Sequence, residues 1–255
     1  MKSLIINVLV IVSFAIILSS VSGCKKKGAV KITLNTTEVS LKVNESSTLV
    51  VSPSINNVVF TSDNDTIAEV FATGEIVARL VGETNIIATN IESGARAICK
   101  VTVIPSVSMY KEPFLVFSTP KLSIKTYETR ELNLENDSTI LYNGENSFLD
   151  SLTYSFKNAA YTSCICVVPA DKVGLLGSYL GERYAYIGSI AYDLIARKTT
   201  DGKTFVVTQT FSDTELLVYY FPRSASGSKS ALSQNSEIIR NIRAINSTRA
   251  FHHKE

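Results

Sequence analysis

From Val30 to Ile104, apolar and polar residues alternate with a period of two rather than 3.6. Ile32 and Leu34 stand between polar neighbours. So do Val39, Leu41 and Val43, then Ile67 and Val70, Ile86 and Ala88, and Ile98, Val101 and Val103. A strand points alternate side chains to opposite faces, so each run can bury one face and wet the other. Turn residues separate the runs: Asn44-Glu45, Pro53-Ser54, Asp63-Asn64-Asp65, Thr73-Gly74, Val81-Gly82 and Ser93-Gly94. The pattern predicts an all-β sandwich of about seven or eight short strands over residues 30–105.

The pattern changes after a short linker, Ser106 to Glu112, and Pro113 opens a second region. Thr119 as N-cap and Pro120 at the first helical position predict a helix to about Thr129. Strands are predicted at 139–142, 149–156 and 159–168, with a tight hairpin at Lys157-Asn158. Pro169-Ala170-Asp171 opens a second helix, to about Arg183, with Val173, Leu176, Leu180 and Tyr184 on its apolar side. Strands follow at 184–187, 191–197, 204–210 and 216–221, two of them joined through Asp201-Gly202. Residues 113–222 therefore read as an α+β domain, an antiparallel sheet with two helices. Gly174, Gly177 and Gly181 lie three and four apart in the second helix. They are expected to permit close helix–sheet contact, at a helix-propensity cost of about 1 kcal/mol each.

Both ends differ from this body. After Met1-Lys2, the stretch from Leu4 to Leu18 is nearly all apolar. As a helix it spans ~22 Å, short of the ~30 Å hydrocarbon core, which is the pattern of a signal peptide. Val21-Ser22-Gly23-Cys24 then resembles the lipobox of bacterial lipoproteins. That resemblance implies that residues 1–23 are removed and that Cys24 is the lipid attachment site, with the membrane as partner through the anchor. Residues 24–29 become a lipidated tether. Lys25, Lys26 and Lys27 either lie on anionic headgroups or form a solvated stalk. Lys25 is not the aspartate that holds such proteins at the inner membrane of enteric bacteria, and no acidic run follows Cys24. The resemblance thus implies an outer-membrane lipoprotein, the periplasmic face favoured over the cell surface. At the other end, residues 223–255 form a Ser-rich linker and a basic tail in which Ile238, Ile239, Ile242 and Ile245 share one side.

A second resemblance covers the whole first unit. Leu34-Asn35, the run from Val39 to Leu49, Val59-Phe60-Thr61-Ser62-Asp63-Asn64 and Ile67-Ala68-Glu69-Val70 match in order. So do Thr73-Gly74-Glu75-Ile76-Val77-Ala78, Gly82 to Thr89, and Cys99-Lys100-Val101-Thr102-Val103. The stretch is similar to the bacterial Ig-like domain of group 2 (BIG2), the module also found in intimin-type adhesins. Phe60 stands where the family often has Trp, which keeps an aromatic core plug. Asn44 stands where it usually has Gly, and Asn is the next best residue for positive φ. The second unit looks like α+β domains that follow Ig-like modules in other envelope lipoproteins, through Glu182-Arg183-Tyr184 and Val218-Tyr219-Tyr220. That likeness implies no activity.

Composition narrows the function. With 45% hydrophobic residues, 12 Gly and 6 Pro, the 255-residue chain is neither disordered nor collagen-like. Basic and acidic residues number 25 and 23, so there is no polybasic body and no nucleic-acid partner is expected. The only histidines are His252 and His253, which removes a Ser–His–Asp triad, a His-activated Cys and the commonest zinc ligands from the folded units. No catalytic residue, metal ligand or cofactor is assigned. Asp150, Asp171, Glu182 and Asp193 are the carboxylates that a glycosidase-type pair would have to draw on. Cys164 and Cys166 point to one face of a strand, too far apart for a relaxed disulfide, and are expected to be buried like Cys99. Asp63-Asn64-Asp65 reads as a turn rather than a calcium fragment. Tyrosines from Tyr110 to Tyr220 suit either a half-buried sheet or a recognition surface. Without Trp, glycan stacking is less favoured, but a protein or glycan ligand stays open. The leading expectation is a non-catalytic, lipid-anchored envelope protein with a spacer or binding module and a ligand-facing C-terminal domain. The alternative is a structural subunit of an envelope assembly docked through the basic tail. A carboxylate-based hydrolase comes last.

Overall fold

A computed structural model describes residues 31–191 and 194–223. Cys24, the lysines of the tether, Asp193 and the tail lie outside the described residues. The described chain is predominantly β-sheet, and it falls around separate hydrophobic clusters on either side of residues 105–106.

Nine short strands precede that point: β1 (Thr33–Leu34), β2 (Glu38–Lys42), β3 (Ser46–Thr48), β4 (Val51–Ser52), β5 (Val58–Ser62), β6 (Ala68–Val70), β7 (Glu75–Ala78), β8 (Gly82–Asn90) and β9 (Arg96–Ile104). A four-stranded sheet runs β2-β9-β8-β5 and a three-stranded one β3-β7-β6. All their pairings are antiparallel except β2 with β9. Leu41, Ile86, Cys99, Val101 and Val103 of the first sheet meet Ala68, Ile76 and Ala78 of the second in one sandwich-like core. The period-two alternation is visible in β9, where Cys99, Val101 and Val103 are buried and Lys100 is exposed. The count exceeds the expected seven or eight because the two-residue pieces β1 and β4 pair separately. Asn44 has φ 68°, as its place in the turn predicts. Gly74 has φ 83°, and a Cβ there would lie 2.4 Å from the Leu49 carbonyl oxygen, so that turn requires glycine. Phe60 packs partly buried at the core's margin.

The remaining strands form one antiparallel eight-stranded sheet, ordered β10-β11-β12-β13-β17-β16-β15-β14. They are β10 (Leu132–Asn136), β11 (Thr139–Asn146), β12 (Leu149–Lys157), β13 (Ala160–Pro169), β14 (Ala185–Ala191), β15 (Leu194–Lys198), β16 (Thr204–Thr210) and β17 (Glu215–Pro222). Asn158 and Ala159, both at positive φ, close the β12–β13 hairpin. The first helix, α1 (Lys121–Tyr127), is shorter than expected. Its cap is Pro120 rather than Thr119, whose hydroxyl donates back to the Val116 carbonyl at 2.8 Å. A 3-10 turn at Ala170–Lys172 leads into α2 (Val173–Arg183). Strand β10 was not expected. Leu132 and Leu134 alternate with Asn133 and Glu135, but both are exposed, and the strand lies at the sheet's edge, paired with β11.

The central strand explains the sheet's layering. In β13, Cys164, Cys166 and Val168 enter the core beneath α1 and α2, while Ile165 and Val167 enter a second cluster on the opposite face. Burial on both faces is why this strand reads as a continuous apolar run rather than an alternating one. Ile124 of α1 and Leu176, Tyr179 and Leu180 of α2 cover the first face. Val173, expected on the apolar side of α2, is instead 61% exposed, because it opens the helix at its free end. No helix among the described residues is long and apolar enough to cross a membrane.

Candidate functional site

The linker between the two parts is held against the sheet by tyrosine hydroxyls. Tyr161 donates to the Phe114 carbonyl at 2.8 Å and Tyr179 to the Tyr110 carbonyl at 3.0 Å. Tyr127 donates to the Glu112 carbonyl and Tyr184 to the Glu112 carboxylate, both at 2.8 Å. Tyr154 accepts from the Phe114 amide at 2.9 Å and donates to Glu128. A buried linker carries main-chain polar groups that water cannot reach, and each needs a partner. The tyrosine richness of the second unit is mostly this: aromatic bodies in the core, with hydroxyls satisfying linker backbone. Among the described residues, Tyr186 is instead 64% exposed, and the Tyr219 hydroxyl donates to Gln209.

A charged network completes the same contact. The Arg130 and Glu128 side chains are 1% and 0% exposed and meet at 2.6 Å. Arg130 also reaches Glu145 at 2.6 Å and donates to the Lys111 carbonyl, while Glu145 accepts the Lys111 amide at 2.6 Å. Burial works against the guanidinium's charge, but the bonds to Glu145 and Glu128 outweigh it and hold its pKa above the usual range. Burial likewise opposes Glu145 ionising, and Arg130 and the Lys111 amide overcome it and hold its carboxyl below the usual range. The arrangement is a closed structural network with its donors and acceptors matched. Sequence reasoning missed it. Its one sequence signal is a charged Glu128-Thr129-Arg130-Glu131 at the end of a helix whose neighbours are apolar.

The carboxylates considered for catalysis are placed apart in role. Glu182 accepts the Ser106 and Val107 amides at 2.9 and 3.0 Å, and its own carbonyl accepts the Val81 amide at 2.7 Å. Arg183 beside it donates to the Val107 carbonyl at 3.1 Å. Both therefore fasten the first unit and the linker to the end of α2. Asp150 and Asp171 are exposed, and Asp171 pairs with Lys172 at 2.6 Å. Burial, then Glu215 and Asp171, push the Asp150 carboxyl up. Cys99, Cys164 and Cys166 are buried free thiols, and burial raises the pKa of Cys164 well above its usual value. Asn64 caps its own turn through the Thr66 amide at 3.1 Å, and Asp63 accepts from Asn85 at 3.0 Å. Among the described residues no group of three or more His, Cys, Asp or Glu side chains is placed to hold a metal ion.

A concave feature lies beside α2. A groove of about 110 Å³ opens between α2 and the outer strands, lined by Val173, Leu176, Gly177 and Leu180 on one side and Ile195, Arg197, Thr208 and Leu216 on the other. Leu176, Tyr179 and Leu180 of the helix share a core with residues of β13, β16 and β17. The three glycines do not bring the helix closer to the sheet, contrary to expectation: a Cβ at Gly174, Gly177 or Gly181 would meet nothing within 4 Å. Gly177 leaves the groove wall low instead. Arg197 sits on the groove side of β15, opposite Tyr186 and Val206. Burial lowers its pKa, and among the described residues its guanidinium forms no ion pair. At ordinary pH it stays charged. An apolar wall with one half-buried guanidinium and the hydroxyls of Thr208 and Thr210 suits an apolar molecule with an anionic end. A lone Arg in Leu194-Ile195-Ala196-Arg197 was the signal available in the sequence.

No protein-family model matches the chain, and no similar sequence was found among curated proteins.

Proposed function

We propose that the protein is a non-catalytic, lipid-anchored cell-envelope protein. Residues 30–105 act as a bacterial Ig-like spacer or binding module, and residues 113–222 form an α+β domain carrying the ligand-facing surface. The observation that carries this reading is the apolar leader from Leu4 to Leu18, ending in Val21-Ser22-Gly23-Cys24. The geometry supports it in two ways. The Glu182 and Arg183 bonds tie the first unit to the second, as a spacer needs. The groove beside Arg197 offers the second unit a place for a small amphipathic anion.

The test is membrane fractionation with a Cys24→Ala control, followed by protease treatment of intact cells. Wild type is expected in the membrane fraction, protected until the outer membrane is opened. The Cys24→Ala chain is expected to lose membrane retention, since acyl chains supply the anchor at ~0.8 kcal/mol per buried CH₂. A variant that stays in the membrane overturns the lipid anchor. Digestion in intact cells moves the protein to the cell surface and its ligand outside.

A further inference from the structure

The groove beside α2 has two unlike ends. Strand β13 leads into α2 at Val173, which shares one end with Thr210 and Leu216. Val173 is 61% exposed there, and Phe211, next to Thr210, is 54% exposed. At the other end the chain passes from Arg183 of α2 to Ala185 of β14 through one residue, Tyr184, which is buried against Tyr220. Ala185 pairs with Lys198, directly beside Arg197. The main chain therefore closes the groove at the Arg197 end. Among the described residues none crosses it at the Val173 end. Charge divides the same way. Asp171 and Glu215 stand in sequence beside the Val173 and Leu216 end, and Lys172 pairs with the first. Arg197 is the single basic residue of the lining, and among the described residues it has no ion-pair partner.

We propose that the groove takes a free monocarboxylic acid with an apolar chain, its carboxylate seated head-in on Arg197 and its chain leading out past Val173. This rests on the groove being the ligand site of the second unit. One guanidinium matches one carboxylate through two parallel N–H···O bonds. A phosphate monoester would bring a second charge with no cation in the lining to meet it. An ester of the same chain would take water from the guanidinium and return no anion. From Val173 to Leu180 the helix advances about 10 Å, which a zigzag of carbon–carbon bonds covers in about eight carbons. Longer chains are accepted too, since whatever lies beyond that length leaves through the open end. The ligand is thus the acid that ester hydrolysis releases, not an intact acyl lipid.

The test uses the full-length, membrane-anchored chain and octanoic acid carrying an alkyl diazirine at its far end, with labelled peptides mapped by mass spectrometry. Light is expected to place the label within residues 171–175 and 209–213. Octanoate is expected to compete it away at a concentration roughly tenfold below that of methyl octanoate. In Arg197→Gln the label is expected to weaken, and acid and ester to compete alike, a ratio that partial loss of folding does not move. Label at Arg197 or on β14 would put the tail inside, overturning the head-in seat while leaving the groove as the site. Equal competition in wild type, or a preference for the acid that survives Arg197→Gln, also overturns it. If octanoate displaces no label from the second unit, the groove is not the ligand site and the proposal falls with that reading.

Discussion

Two carboxylates in the second unit carry opposite pH signatures. Glu145 has a folded pKa below its ordinary value, so its contribution is full above about pH 4.3 and is lost as pH falls through the folded value. Asp150 has a folded pKa above its ordinary value. Its protonated form is favoured in the fold, so stability from it is full below about pH 3.9 and lost as pH rises through the folded value. Glu145→Gln is therefore expected to lower the melting temperature at pH 7, with the deficit shrinking below pH 4. Asp150→Asn is expected to raise it slightly at pH 7 and leave it unchanged at pH 3. Thermal melts of the three chains across that range check both signs. A parallel loss at every pH for Glu145→Gln would show that its bonds to Arg130 and Lys111 act without its charge. The same residue-scale logic explains the tyrosines. The hydroxyls of Tyr127, Tyr161 and Tyr179 bind main-chain carbonyls between Tyr110 and Phe114, and a sequence does not say which main chain a phenol will meet.

At the scale of elements, the helix glycines were read as contact points and are not. With open space at each Cβ, Gly174→Ala and Gly181→Ala are each expected to stabilise the fold by up to ~1 kcal/mol, the helix-propensity difference. Gly177→Leu fills the groove beside Arg197 rather than the core. Octanoate, an apolar chain with a carboxylate, is the probe: NMR titration is expected to shift β15 and α2 resonances in wild type. Gly177→Leu and Arg197→Ala are expected to abolish those shifts while melting like wild type. Shifts that persist in both variants would remove the groove as the site. The strands of the first unit were legible because one wet face imposes alternation, as in β9. So were β12, β13, β16 and β17, with boundaries near those observed. Strand β10 was not: its alternation is only two apolar positions long, Leu132 and Leu134 between polar residues, too short a run to mark a strand. The groove was not legible either. It arises where Val173, Leu176, Gly177 and Leu180 of α2 face Ile195 and Arg197 of β15, a matter of packing between segments distant in sequence.

At the scale of the molecule, the join between the units decides whether the first can act as a spacer. Glu182 is its centre: a side chain 13% exposed whose carboxylate accepts two consecutive linker amides, Ser106 and Val107. Val81, from the loop before β8, bonds to the carbonyl of the same residue. Glu182→Ala removes the acceptor of both linker amides but leaves the Val81 bond and the two cores untouched. The Ser106 amide is exposed and can turn to water, so the cost falls mainly on the part-buried Val107 amide, at about 1 kcal/mol. The loss falls on the hinge, because neither hydrophobic cluster includes this residue. Limited proteolysis of Glu182→Ala is therefore expected to cut faster within residues 104–108, with melting of the second unit shifted little. Glu182→Gln keeps one acceptor oxygen and is expected to cut at an intermediate rate. Cleavage at the wild-type rate in both variants would mean that the linker's other anchors, Tyr179 on Tyr110 and Arg183 on Val107, fix the join without Glu182. Faster cleavage graded by acceptor number would make this carboxylate the element that fixes the first unit and the linker against the end of α2.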